Sequence, residues 1–434
     1  MHIQPWAGVL SRPSRNENGL KQTGYIIVDQ TSIGPSQPKH KNRTGSSPTP
    51  QPPSPSPPRS LRKPNRRRRR LAAAAAIMSL MEDVVGEILL RIPPEEPAHL
   101  VRAALVCKPW LKVASCPAFR RGYRERHRTP PLLGFVHNLY QDVPIPRFVP
   151  TTAASPCSSP ALGWSSWWAL DSRHGRVLIH RFGSDLVVWN PITGDQQHLP
   201  LPPYPHGYCT GAVLCAAAGC DHLDCTNGPF LVVFVGSDKN EDEDVTWTSV
   251  YSSETRGWST VVTADLNTSL MVVLHSYIAM KPGILIRNAL YFTLESGMAI
   301  LKYDLVGQCF SVIDAPMVCE QMGIVMAAED GGLGFASIEG NNLHLWSWMT
   351  DDGNSAGWTL GRVIPLQSLL PVGNPSILTE VIGFAEGTDT IFLNTEVGVF
   401  TFEIKSGKTT KVGERRAYCT VLPYMSFCAP GIKP

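Results

Sequence analysis

Charged residues are scarce in this 434-residue chain: Asp, Glu, Lys and Arg make up 17% of it, against 43% hydrophobic residues. That balance excludes wholesale disorder and fits a largely globular body. No apolar run approaches the length of a membrane span. The first residues also lack the basic start and apolar stretch of a secretory signal. The eleven cysteines follow no regular short spacing. A disulfide framework is therefore not expected, and the thiols read as free in a reducing compartment, cytoplasmic and/or nuclear. Enzyme signatures are missing too: no G-x-S-x-G elbow, H-E-x-x-H pair, phosphate loop or dinucleotide-binding glycine pattern occurs.

What is present is unevenly distributed. Residues 1–70 hold fourteen Lys or Arg against two acids, Glu17 and Asp29, and so carry a net +12. The remainder holds 25 basic and 34 acidic residues, a net −9. An acidic body argues against nucleic acid as its main partner. The leader, 1–77, is Pro/Ser-rich at Ser47–Pro58 and ends in the Arg66–Arg70 run. Such a composition buries too little apolar area to offset its ordering entropy, so the leader is expected to be disordered. Met78, just before the first amphipathic segment, is a candidate second translation start.

Residues 80–119 carry the sharpest local signal. Val84, Val85, Ile88, Leu89 and Ile92 fall at helical spacing, and Pro93–Pro94 stop that helix. A second helix opens near Pro97 with Leu100, Val101, Ala104 and Leu105 on one face, and a third begins near Pro109–Trp110. Residues 118–128 continue helically, and the helical domain is placed at 78–128. About forty residues are too few for a self-sufficient core, so the apolar faces are expected to dock elsewhere.

The segment resembles the F-box. The elements that match are Glu82–Asp83, Val84–Val85, Glu87–Ile88–Leu89, Arg91–Ile92–Pro93, Leu105–Val106–Cys107–Lys108, Trp110 and Pro117–Ala118–Phe119. Leu80–Met81 stands where the motif usually has Leu-Pro, and Pro109 and Cys116 replace a basic residue and an Asp. The resemblance implies docking on a Skp-type adaptor, and through it on a cullin scaffold with a RING subunit. The implied contact residues are Leu80, Val84, Val85, Ile88, Leu89, Ile92, Leu100, Val101, Leu105 and Trp110.

From residue 132 the texture changes to short β-branched or aromatic runs separated by Gly, Asn and Asp turns. A strand-and-turn unit recurs at Leu186–Gly194, Thr248–Trp258, Ile300–Val312, Leu343–Trp358 and Gly398–Val412. The starts lie about 45–60 residues apart, the range of one propeller blade. Other strands precede each unit: Arg176–Ile179, Phe230–Val235, Ala289–Leu294, Gly332–Ile338 and Thr390–Asn394. The predicted architecture is α+β and multidomain: a three-helix F-box, a linker with a first strand at 129–160, and an all-β domain at 161–430. That domain reads as a β-propeller of about six blades, with a pair of β-sandwiches as the alternative. Segments such as Val188–Gly194 resemble the F-box-associated domains of plant F-box proteins.

Three constellations carry residue types capable of chemistry. Cys209, Cys215, Cys220 and Cys225, with His206 and His222 nearby, match no tight zinc knuckle, and a cysteine-bearing inter-strand loop is the expectation. Asp238–Asp244 lacks the alternating ligands and Gly turn of a calcium loop and reads as a hairpin tip. Trp164, Trp167 and Trp168 read as packing between blades rather than a recognition patch. No cofactor or metal is assigned. The expected function is that of a non-catalytic substrate receptor of a Skp–cullin–F-box ubiquitin ligase, with an unidentified target protein held by the β domain. A non-catalytic F-box scaffold and a propeller enzyme are the alternatives.

Overall fold

The computed structural model describes residues 81–139, 147–151, 167–223, 225–239, 244–264, 277–295, 297–316, 323–349, 356–370 and 379–428. The leader, Met78, Leu80 and Trp164 lie outside them.

Four helices come first: α1 across residues 81–89, α2 (Pro97–Leu105), α3 (Lys108–Ser115) and α4 (Pro117–His127). Prolines set the breaks. Each of α2, α3 and α4 has Pro in its first two positions, where the missing N–H costs nothing. Cys116, which precedes Pro117, is extended at φ −65° and ψ 133° because the following ring disfavours the helical conformation. That kink ends α3 and makes α4, the helical continuation expected at residues 118–128, a helix of its own. The helices also bury a core: Leu89, Leu100, Ala104, Ala114, Phe119 and Tyr123 pack together with Phe427. The expected shortage of core is thus met by α4 and by a side chain from the far end of the chain.

Strand β1 (Leu132–Leu139) and β2 (Arg147–Pro150) follow. Residues 147–150 therefore form a second strand within the stretch expected to hold a linker and a first strand. Next come five antiparallel meanders. The first is β3 (Trp168–Arg173), β4 (Arg176–Arg181), β5 (Asp185–Trp189) and β6 (Gln196–Leu199). The second has β7 (Tyr208–Cys215), β8 (Phe230–Lys239) and β9 (Asp244–Ser252), with β10 (Gly257–Trp258) and β11 (Val262–Ala264) both pairing with β9. The third is β12 (Ile284–Ile286), β13 (Ala289–Thr293), β14 (Ala299–Asp304) and β15 (Cys309–Asp314). The fourth is β16 (Ile324–Ala327), β17 (Leu333–Glu339), β18 (Asn342–Met349) and β19 (Gly357–Pro365). The fifth is β20 (Glu380–Ala385), β21 (Thr390–Thr395), β22 (Gly398–Glu403) and β23 (Thr409–Gly413).

The last strand, β24 (Tyr418–Met425), pairs with β1, and β1 pairs with β2. This sheet joins the two ends of the β domain and closes a six-bladed propeller. Closure is visible in the core. Alternate residues of one strand face opposite neighbours: Val177 and Ile179 pack with Leu422 and Tyr424 of the closing sheet, while Leu178 packs with Val213 and Phe234 of the second blade. Val233 and Phe292 then join blades two and three, and Ile300 and Phe335 blades three and four. Ile338 and Phe402 join blades four and five, and Phe392 and Phe135 return to the closing sheet. Middle strands covered on both faces explain the continuous apolar runs. The outer strand β6, by contrast, exposes Gln196, Gln197 and His198, which suits an unpaired edge.

Every recurrent unit seen in the sequence is the third strand of a blade with its turn, and every strand noted before it is the second. Trp167 and Trp168 are buried in neighbouring inter-blade clusters, as packing demands. The acidic run bridges β8 and β9, whose pairing ends with Lys239 opposite Asp244; its tip lies outside the described residues.

Candidate functional site

Helix α1 divides its apolar residues between two stripes. Val85, Leu89 and Ile92 turn inward to the helical core. Met81, Val84 and Ile88 are 64%, 54% and 53% exposed, and at the end of α2 Leu105 and Val106 are 73% and 67% exposed. These five are among thirteen large apolar side chains exposed across the described residues, yet they fall within residues 81–106. Exposed apolar side chains concentrated in this way form a candidate interaction surface.

The ten residues implied by the F-box resemblance separate accordingly. Val84, Ile88 and Leu105 are exposed; Val85, Ile92, Val101 and Trp110 are half-buried. Leu89 and Leu100 are fully buried within the helical core. Leu80 lies outside the described residues. Met81 and Val106, outside those ten, are exposed as well, and Met81 sits one heptad before Ile88 and so shares its stripe.

The helices are held to the propeller. Phe427, just past β24, stands edge-on to Tyr123 with ring centroids 6.2 Å apart. The Tyr123 hydroxyl donates to the carbonyl of Ile92 at 2.9 Å, tying α4 to the chain leaving α1. Leu223, from the loop between β7 and β8, packs on the same core.

A cavity of about 280 Å³ lies among the inner strands, and Arg128 and Pro130, where the chain leaves α4, also line it. Its polar centre is Arg173. One guanidinium nitrogen donates to Asp171 at 2.7 Å, another to the carbonyl of Gly283 at 2.7 Å, and the group also pairs with the Glu386 carboxylate. Asp171 accepts a further bond from the Val213 backbone N–H at 2.8 Å. Burial pushes the Asp171 carboxyl up to about 6 against the pull of Arg173. Burial also works against the Arg173 charge, but Asp171 and Glu386 outweigh it and hold the guanidinium above its ordinary value. Its partners come from the first, third and fifth blades or their flanks, so the network ties them across the axis. The buried charges satisfy one another.

The cysteines sort into two places. Cys209 is buried beside His180, with Sγ 4.0 Å from Nδ1, and burial pushes its thiol up to about 12. Cys215, Cys220, Cys225 and His222 instead converge in the loop between β7 and β8.

Comparison with known proteins gives one family. The family described as F-box protein AT5G49610-like, beta-propeller, matches residues 168–431. No curated protein matches. Among solved structures the chain is similar to YjhT at 13% identity, over 57% of this chain and 83% of that one, with a TM-score of 0.32. TolB from Acinetobacter baumannii is 12% identical over 70% and 71%, with a TM-score of 0.35. A nidogen/laminin complex is 9% identical over 68% and 98%, at 0.37. These likenesses are too remote to bear on function. The family match spans β3 to β24 and more than half of the chain, which therefore belongs to the F-box protein AT5G49610-like beta-propeller family.

Proposed function

We propose that this protein is the substrate-selecting, non-catalytic subunit of a Skp–cullin–F-box ubiquitin ligase. Its helices dock a Skp-type adaptor, and the propeller holds a target protein through the loops between strands. The observation that carries this reading is the exposed set Met81, Val84, Ile88, Leu105 and Val106 on a helical module joined to an F-box-family propeller. Burying each such side chain is worth about 1.5–3 kcal/mol before association costs. Holding target and ubiquitin-loaded enzyme in one assembly raises the effective concentration of a target lysine. The chain itself then needs no catalytic residue.

The test uses the full chain co-expressed with a Skp-type adaptor. The wild type is expected to co-purify with it. Ile88→Lys combined with Leu105→Lys should cut the affinity at least about tenfold, since each ammonium would be desolvated without a partner. Both positions are exposed, so the melting temperature should hold. Failure of the wild type to bind, or undiminished binding by the double variant, would overturn the reading.

A further inference from the structure

The loop between β7 and β8 is anchored as a hairpin. Cys215 closes β7 directly opposite Phe230, and the Ala216 N–H donates to the Pro229 carbonyl at 3.0 Å. Between those anchors the chain folds back so that Cys215, Cys220 and Cys225 Sγ and one ring nitrogen of His222 all lie within 4.8 Å of one another. The Cys225 Sγ to His222 Nδ1 distance is 3.8 Å. A tetrahedral zinc site has Zn–S near 2.3 Å and Zn–N near 2.0 Å, which puts its donors about 3.5–3.8 Å apart. The four atoms therefore need to close by at most about 1 Å.

The surroundings fit a cation bound by thiolates. The His222 backbone N–H points at Cys220 Sγ, 3.4 Å away, as an outer hydrogen bond that steadies a ligating sulfur. His222 adopts the left-handed conformation, φ 58°, and the His174 ring lies against its ring at a centroid distance of 4.5 Å. Arg176 is 3% exposed and is braced by the carbonyls of Cys225 and Gly228, both at 2.6 Å. Its other terminal nitrogen, Nη1, is buried with no hydrogen-bond partner. Zinc with three thiolates and one imidazole has net charge −1, and a buried guanidinium beside the sulfurs offsets it.

We propose that Cys215, Cys220, His222 and Cys225 form a structural zinc site that fixes the loop between β7 and β8 beneath the helical module. Three sulfurs and a nitrogen favour zinc over hard cations, and four protein ligands leave no open position for catalysis. The site's reach comes from Leu223, next to His222, which packs on the helical core. The metal thus sets how firmly the propeller holds the helices. Binding displaces a proton from each thiol that is not already ionised, and nothing is oxidised.

The experiment measures zinc in the full chain, purified under reducing conditions without added metal. About one zinc per chain is expected, released as a mercurial titrates the thiols. Cobalt reconstitution should give sulfur-to-metal charge transfer and the visible absorption of a tetrahedral site, a readout that needs no variant to fold. Cys220→Ser combined with Cys225→Ser should lower the zinc content at least tenfold. Stripping the metal from the wild type should speed amide exchange in residues 216–223 and across α2–α4, with the outer strands of blades four and five unchanged. Metal-free protein that also fails to bind zinc or cobalt would overturn the proposal. So would full zinc content in the double variant, or a disulfide among these cysteines in the reduced preparation.

Discussion

Phe427 and Tyr123 join the two ends of the described chain: an aromatic residue after the last propeller strand seats edge-on against a helix that precedes the first. The contact belongs to the core that also holds Leu89 and Leu100. The helical module is thus finished by the propeller's own tail, and its stability depends on β24 being in place. Phe427→Ala removes a ring that is 7% exposed and should cost about 3 kcal/mol. Hydrogen exchange should show the loss in α2–α4 while the strands of blades three and four keep their protection. Equal loss throughout would mean that the helices and propeller unfold as one unit.

Leu89 and Ile88 are sequence neighbours with opposite environments, and they should separate folding from docking. Leu89 is 1% exposed, so Leu89→Ala should destabilise by about 2–5 kcal/mol through lost packing and a residual cavity. Ile88→Ala should change stability by less than about 0.5 kcal/mol. Chemical denaturation of the two variants decides it. An equal effect would show that the exposed stripe of α1 is covered within the protein.

Periodicity in the sequence reads Val84, Val85, Ile88, Leu89 and Ile92 as one apolar face and cannot say which part of it the chain itself covers. That depends on Phe427, which arrives from the opposite end. The blades were legible for a similar reason in reverse. The second and third strands, such as Arg176–Ile179 and Leu186–Trp189, are covered on both faces and announce themselves as apolar runs bounded by turns. Inner strands such as β12 and β16 are only three and four residues long, too short to show a period. The pairing of β1 with β24 is wholly non-local. The cysteine cluster stood out in the sequence but fitted no zinc knuckle, because Cys215 belongs to a strand end, Cys220, His222 and Cys225 belong to a folded loop, and Cys209 lies apart beside His180. No linear spacing rule links them.

Arg173 is the hinge of the axial network, and removing it strands a carboxylate. Arg173→Met should cost about 3–5 kcal/mol, because Asp171 is left buried without its cation. The loss should grow with pH. A carboxyl raised by burial is protonated in the folded protein and ionised in the unfolded chain. Stability therefore falls as pH rises, by about 1.4 kcal/mol per pH unit until the folded pKa is reached. In the wild type Asp171 is already at about 6, so its contribution is spent by then, and above that pH the variant alone should keep falling. Urea titrations of both proteins at pH 6, 7 and 8 test this. Parallel curves would place the Asp171 charge in contact with solvent.

His180 should give the propeller an acid limit. Its ring is 3% exposed, and burial, with His206 beside it, holds it down to about 4 while Asp185 pulls the other way. Below its ordinary value of 6.5 the unfolded chain takes up a proton that the folded protein refuses. Stability is therefore complete above about pH 6.5, declines as pH falls, and levels off below about 4. The expected loss from this group between pH 7.5 and pH 5 is about 2 kcal/mol. His180→Leu keeps a buried side chain and removes the titration. Its absolute stability will reflect the new packing, but its slope with pH should be shallower by that amount. Unfolding free energies at pH 7.5, 6 and 5 give the comparison, and an unchanged slope would assign the acid limit to another group.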